Sequence, residues 1–364
     1  MKKIYYITAV FATLFLVGCG DGIDLPGVNV ETDLNKIPLP DNNVNLEQVE
    51  LKPSTEPMLH EGLHTEEDFQ RIRDKKAAGE EPWVSAYQLL VESQFSQKTA
   101  DTYPTEWIKR GVSGDENYMN AARGATIVYQ QALRWKIEQD DEYAAKAVEN
   151  LNKWVQTCVG VTGNTNLSLA AGLYGYEFAI AGELLRDYGG WDRTDFAAFQ
   201  NWLLKVFYPA NDDFLKRHHD TNALHYWANW CLCNIAAKMA IGIVTDRRDI
   251  YNEGIAHLQT GDTNGRLRRA IYHDYAPDYN FAQWQESGRD QGHTLMCVGL
   301  MGVICQLAWS QGDDFFAYDD NLFLRACEYA ACCNYTNETV PYTTYIWQKQ
   351  SQWGYPIPEE QTTL

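Results

Sequence analysis

Two stretches of this 364-residue chain, Ala228 to Ile243 and Thr294 to Trp309, are apolar around nearly their whole circumference when read at helical spacing. A helix of that kind has to be covered on more than one side, so other helices must surround it. From about residue 58 onward the chain supplies them. Thr65-Glu66-Glu67-Asp68 offers an N-cap and an acidic first turn ahead of Phe69 and Ile72. Pro82-Trp83 opens a second helix, with Pro where a missing N–H is harmless. Further helices are expected over 117–139, 142–158, 167–187, 194–207, 222–243, 250–259, 291–311 and 321–334. Strand patterns are nearly absent. The expected class is all-α, with hairpins arranged either as a solenoid or as an α/α toroid. No strict repeat of about 34 residues is visible, which argues against a tetratricopeptide array. The last stretch, Thr339 to Leu364, is dense in Tyr and Trp yet shows no terminal helix, the pattern of an incomplete, C-terminally truncated toroid.

The first residues read as a processing segment. Lys2 and Lys3 precede an apolar run from Ile4 to Val17, which ends in the lipobox Leu16-Val17-Gly18-Cys19. The run is too short to cross about 30 Å of hydrocarbon. Residues 1–19 are therefore expected to be a lipoprotein signal peptide with Cys19 lipidated, which puts the protein in the cell envelope, at the outer membrane or cell surface, held only by that lipid. Residues 20–57 are rich in Asn, Asp, Pro and Val without helical period, as in a flexible linker, and 58–364 form the helical domain.

Lys and Arg total 30 against 49 Asp and Glu, a formal charge of −19 that argues against a nucleic-acid partner. Aromatic residues reach 13%, with 12 Trp and 22 Tyr, and such a surplus suits clefts that stack sugar rings. The eight cysteines after Cys19 lie mostly in apolar helical stretches and show no Cys-x-x-Cys spacing, so neither a zinc site nor any other metal is expected.

Three polar clusters stand out in a region, 205–293, where ten Lys and Arg nearly balance eleven Asp and Glu. A site for a polyanion would be built there. The first is Lys216-Arg217-His218-His219-Asp220-Thr221-Asn222, followed by Leu224-His225-Tyr226-Trp227-Ala228-Asn229-Trp230. It reads as a loop presenting imidazole and amide groups, with Trp227 or Trp230 as a sugar platform; alternatively Asn222 is an N-cap and His225 an ordinary helix residue. The second, Arg266 to Tyr275, holds three arginines, His273 and two phenols. If helical, it puts Arg268, Tyr272 and Tyr275 on one face, where an arginine would lower a phenol's pKa. The third is Trp284-Gln285-Glu286-Ser287-Gly288-Arg289-Asp290-Gln291-Gly292-His293. Glu286 and Asp290 sit too close in sequence to flank a glycosidic bond from opposite faces, so a network around Arg289 is the better reading of those acids.

The opening His60-Glu61-Gly62-Leu63-His64-Thr65-Glu66-Glu67-Asp68, the stretch from Glu142 through Trp154, the Trp227-to-Trp230 helix and the Gln285-to-His293 run together resemble the alginate-lyase-type polysaccharide lyases, over about residues 58 to 350. Polysaccharide lyase family 38, whose members act on alginate or glucuronan, is the nearest likeness. Arg268 followed by Tyr272-His273-Asp274-Tyr275 is similar to the Arg and Tyr-His-Asn-Tyr of family 5. The resemblance implies an α/α toroid that cleaves a uronic-acid polysaccharide by β-elimination, using an Asn, a His, an Arg and a Tyr without cofactor.

Carried over by position, it implies Tyr275, His219, Asn164 and Arg269 as catalytic residues. His218 rivals His219, Arg268 rivals Arg269, and Asn166 and Asn222 rival Asn164. Arg268, Arg289, His293, Trp227, Trp284 and Asn222 are the implied substrate-binding residues. The sequence lacks the adjacent Asn-Asn-His that family 5 carries before Tyr-Trp. The competing reading is a non-catalytic glycan-binding surface lipoprotein, which explains lipobox, helices and aromatics but has no use for the Arg-Tyr-His-Asp-Tyr cluster.

Overall fold

A computed structural model describes residues 54–336, 339–351 and 353–364; the lipobox Cys19 and residues 20–53 of the expected linker lie outside the described residues. Its helices are α1 (Glu66–Ala77), α2 (Trp83–Glu92), α3 (Tyr118–Glu138), α4 (Asp141–Thr157), α5 (Asn166–Leu184), α6 (Arg193–Val206), α7 (Tyr208–Arg217), α8 (Ala228–Val244), α9 (Arg248–Thr260), the single turn α10 (Leu267–Ala270), α11 (Gln291–Ser310) and α12 (Tyr318–Tyr335). They pack as hairpins in an α/α toroid. The inner helices follow one another as α3, α5, α8 and α11, and α4, α6 with α7, α9 and α12 back them from outside.

The inner helices run parallel. Asn234 Nδ2 of α8 reaches the Ser168 carbonyl of α5 at one end, and at the other Arg186, just past α5, donates to the Ile243 and Val244 carbonyls. Tyr118, which opens α3, stacks near Tyr174 midway along α5, and Trp135 in the last turn of α3 meets Tyr188 just past α5. All four N-termini thus face one end of the toroid. Across the opposite end runs the segment before α1: Gln311 bonds the backbone of Leu59 and Glu61, Gly62 lies against Glu183, and His64 bonds the Tyr129 hydroxyl.

Local chemistry explains most boundaries. Thr65 and Asp68 form a reciprocal capping box at α1, with Lys75 and Lys76 in its last turn. Two departures are instructive. Pro209 reads as a break after Phe207, yet it occupies the first turn of an extra helix, α7, where Pro is tolerated. The helix expected from Asn222 begins only at Ala228, because the first N–H groups of α8 are taken by Gln285 Oε1 and Glu286 Oε1 from a distant segment.

Six short strands occur where the sequence suggests almost none. β1 (Trp107–Arg110) pairs in parallel with β2 (Gly160–Gly163), β3 (Ile271–Asp274) antiparallel with β4 (Ala282–Trp284), and β5 (Tyr345–Trp347) antiparallel with β6 (Glu359–Gln361). The eight cysteines from Cys158 to Cys333 are all free thiols, and six are buried.

Inside the toroid Glu177 of α5 has a buried carboxyl oxygen without a partner, and burial raises its pKa from 4.5 to about 8. The folded state therefore prefers the proton, and stability falls as pH rises from about 4.5 through about 8. Glu177→Gln should stabilise the protein by on the order of 2–4 kcal/mol near pH 8 and by nothing near pH 4, as read from denaturant unfolding at the two pH values.

Candidate active site

The site is built where the inner helices begin. β2 delivers the chain to Asn164 through Gly163, whose φ of 144° and contact with the Arg110 carbonyl leave no room for a Cβ. Asn164 Oδ1 accepts the Asn166 N–H at 2.9 Å in the turn that leads into α5, while its amide lies over Gly111, where a Cβ would collide with it. His219 arrives from the loop after α7. His218, His219 and Asp220 take φ values of 49°, 51° and 61°, a left-handed run of non-glycine residues that only surrounding contacts sustain.

Those contacts separate the two imidazoles. His218 is 3% exposed, lies beside Cys231 and is pushed down to about 4 by burial. His219 Nε2 meets Ser168 Oγ at 3.0 Å on the first turn of α5, its ring between Phe214 and Tyr226. Burial lowers its pKa as well, so it is neutral at pH 7. His219 and Asn164 therefore both lie at the start of α5, although 54 residues intervene in the chain.

A second imidazole borders this group. His225 Nδ1 accepts the Gln350 N–H at 2.7 Å, which puts the proton of the neutral ring on Nε2. Trp347 Nε1 bonds the His225 carbonyl at 2.8 Å, and Asn222 is tied by its backbone N–H to Gln350 Oε1 and by its amide to the Gln348 carbonyl. Asn222 thus anchors the C-terminal segment. Trp227 stacks on Trp347 at 4.2 Å with Arg289 at 5.3 Å from its ring, and only 8% of it is exposed.

The Arg266–Tyr275 cluster is not one helix. After the turn of α10 it becomes β3, so Arg268, Tyr272 and Tyr275 do not share a helical face. Arg268 pairs with Asp319 and lies 3.7 Å from Asp274, and Arg269 donates to the Asp262 carbonyl. Neither arginine is recorded against the Tyr275 phenol, which contacts Gln283 and Thr343 instead. The expected lowering of its pKa is reversed, because burial raises it. No hydrogen bond or ring contact joins Tyr275 to His219 among the described residues. Between them runs a line of rings: His219, Tyr226, His225 and Trp347, then Tyr345 two residues back on β5, packed on Tyr272.

Trp284 is fully buried, with its Nε1 on the Ala326 carbonyl, and offers no face to a sugar. Arg289 pairs with buried Glu286 at 3.1 Å, and His293 Nδ1 with Asp290 at 2.6 Å, the network expected for those acids. Among the described residues no three His, Cys, Asp or Glu side chains are grouped to hold a metal ion. Sequence reasoning missed Trp347, Gln350 and Arg110; the density of Tyr and Trp after residue 339 was the one signal for the first.

With this geometry in place, the comparisons with known proteins decide the family. The chain belongs to the alginate lyase family. That family's model matches residues 72–338. No curated protein matches the sequence. Among solved structures, alginate lyase A1-III in complex with a tetrasaccharide is similar at 14% identity and a TM-score of 0.56, over 75% of this chain and 79% of that one. Alginate lyase A1-III from Sphingomonas species A1 is similar at 13% identity and 0.53, covering 76% and 80%. An alginate lyase from Bacteroides ovatus is similar at 14% and 0.52, covering 73% and 81%. This alginate lyase family member is therefore a polysaccharide lyase on an α/α toroid.

The pairing of Arg268 with Asp319 and Asp274 marks it as a structural cation. Arg268→Met should cost about 1–3 kcal/mol by removing the cation that pairs with Asp319, whereas Arg269→Met should leave the thermal midpoint within about a degree. Thermal unfolding of the two variants measures the contrast.

Proposed function

We propose that the protein cleaves a uronic-acid polysaccharide, alginate or glucuronan, with Asn164, His219, Tyr275 and Arg269 as its working residues. The observation that carries this reading is that Asn164 and His219 both lie at the start of α5. The C5 proton of a uronate is too weakly acidic to leave until the adjacent carboxylate is masked, and the Asn164 amide beside a helix N-terminus suits that task. Neutral His219 then accepts the C5 proton. The C4–O4 bond breaks, C4=C5 forms, and O4 takes a proton from an acid. Products are a 4,5-unsaturated uronate end and a new reducing end.

Tyr275 suits the acid role. Gln283 Oε1 accepts the Thr343 N–H at 2.8 Å and Gln283 Nε2 donates to the Thr343 carbonyl at 3.0 Å, which fixes the amide orientation. The phenol must then donate to Gln283 Oε1, and burial keeps it protonated at neutral pH. Of the two arginines, Arg269 is the one without a recorded ion pair, which favours it for holding a substrate carboxylate.

Incubation with alginate and with glucuronan should raise ultraviolet absorbance as unsaturated ends form; a flat trace on every uronan removes the assignment. Tyr275→Phe should lower kcat at least about 100-fold with an unchanged melt. Because His219 lies below its usual 6.5 and Tyr275 above 10, kcat/KM should hold steady between those pH values, losing the base below and the acid above. We further propose that the enzyme works at the cell surface on a lipid at Cys19. Cys19→Ala should move it from the membrane fraction to the soluble one, and retention on membranes overturns that placement.

A further inference from the structure

Five cationic side chains are less than one-tenth exposed among the described residues: Arg110, Arg134, Arg186, Lys238 and Arg325. Four of them have carboxylate partners. Arg134 pairs with Glu138, Arg186 with Glu183 and Asp246, Lys238 with Asp212 and Glu253, and Arg325 with Asp274 and Asp320. Arg110 has no recorded ion pair, and its Nη1 is wholly buried without an acceptor. The guanidinium carbon lies 4.7 Å from the centre of the Tyr118 ring. A buried charge left without a counterion is a strong cost to a fold, which an anion from outside would relieve.

Its position says which anion. Arg110 faces Gly163 in the β1–β2 pairing, one residue before Asn164, and the Asn164 amide lies over the adjacent Gly111. Tyr118 opens α3, and the Arg110 charge is felt at Cys233 in the second turn of α8. The guanidinium therefore reaches toward the early turns of inner helices from a strand residue paired with Gly163, one position ahead of Asn164. The N-cap residues of α3 and α5, Asn117 and Thr165, make no side-chain cap, so both helix starts add positive potential. We propose that Arg110 is the binding site for a carboxylate of the substrate and selects acidic sugars over neutral or esterified ones. The planar fork of a guanidinium suits bidentate capture of a carboxylate. Arg110 moves no proton; it fixes which sugar enters, and this role rests on the uronan-lyase reading.

The test compares the purified full chain with Arg110→Met and Arg110→Gln on a uronan and on its methyl ester, whose C5 proton remains removable. KM for the acid polymer should rise at least tenfold, kcat should change less than threefold, and the preference of the unaltered enzyme for acid over ester should fall toward one. Arg110→Lys should restore part of the KM. Loss of stability alone would shift the melt without changing the acid-to-ester ratio. Unchanged KM and unchanged preference in a folded neutral variant overturn the proposal. If the unaltered protein makes no unsaturated ends on any uronan, the lyase reading fails by itself. Calorimetry with a saturated uronate oligosaccharide then still decides Arg110: weaker binding by the neutral variants supports it, and equal affinity overturns it.

Discussion

The close approach of α5 and α8 sets the geometry of everything else. A Cβ at Gly172 would stand 2.4 Å from Cys233 Sγ and 3.0 Å from the Asn234 backbone nitrogen, so the two helices touch nearly backbone to backbone. Parallel packing at that distance puts the loop ahead of α5 beside the loop ahead of α8. Asn164 and His219 both lie at the start of α5 for this reason and not because either loop has an intrinsic preference for the other. The left-handed run at His218 to Asp220 is held in the same way, with His218 in the core and His219 against Ser168 on the first turn of α5.

The C-terminal segment does more than close the chain. Gln350 holds His225, Gln348 and Gln350 hold Asn222, and Trp347 covers Trp227. Thr343, further back on the same segment, locks Gln283 and through it the Tyr275 phenol. One stretch of chain therefore holds both His225 and the Tyr275 phenol in place. Electrostatics works at two scales here. The whole chain carries −19, yet the helix starts and Arg110 make its mouth locally hospitable to an anion, because distant exposed carboxylates are screened within about 8 Å at physiological salt while a buried guanidinium is not.

Resemblance and structure contributed differently to the site. Asn164, His219 and Tyr275 came from a likeness in residue pattern, and nothing in their spacing announces that two of them are neighbours. Trp284 illustrates the opposite error. A tryptophan in a polar run reads as a stacking platform, but its own burial, and the Ala326 carbonyl that takes its N–H, were set by α12 packing over it. Arg268 was drawn off in the same fashion by Asp319.

The sequence by itself determined the helical class, most helix boundaries and the all-round burial of α8, because these follow from side chains three and four positions apart. Tertiary structure alone decided where α8 begins, that Arg266 to Tyr275 bends into a strand, which histidine is buried, and that Arg110 stands unpaired. Each of those depends on a partner tens of residues away: Gln285 and Glu286 for the start of α8, Asp319 for Arg268, and the packing of α3, α5 and α8 for Arg110. Local periodicity carries no information about such partners, since chain separation does not determine distance once helices pack.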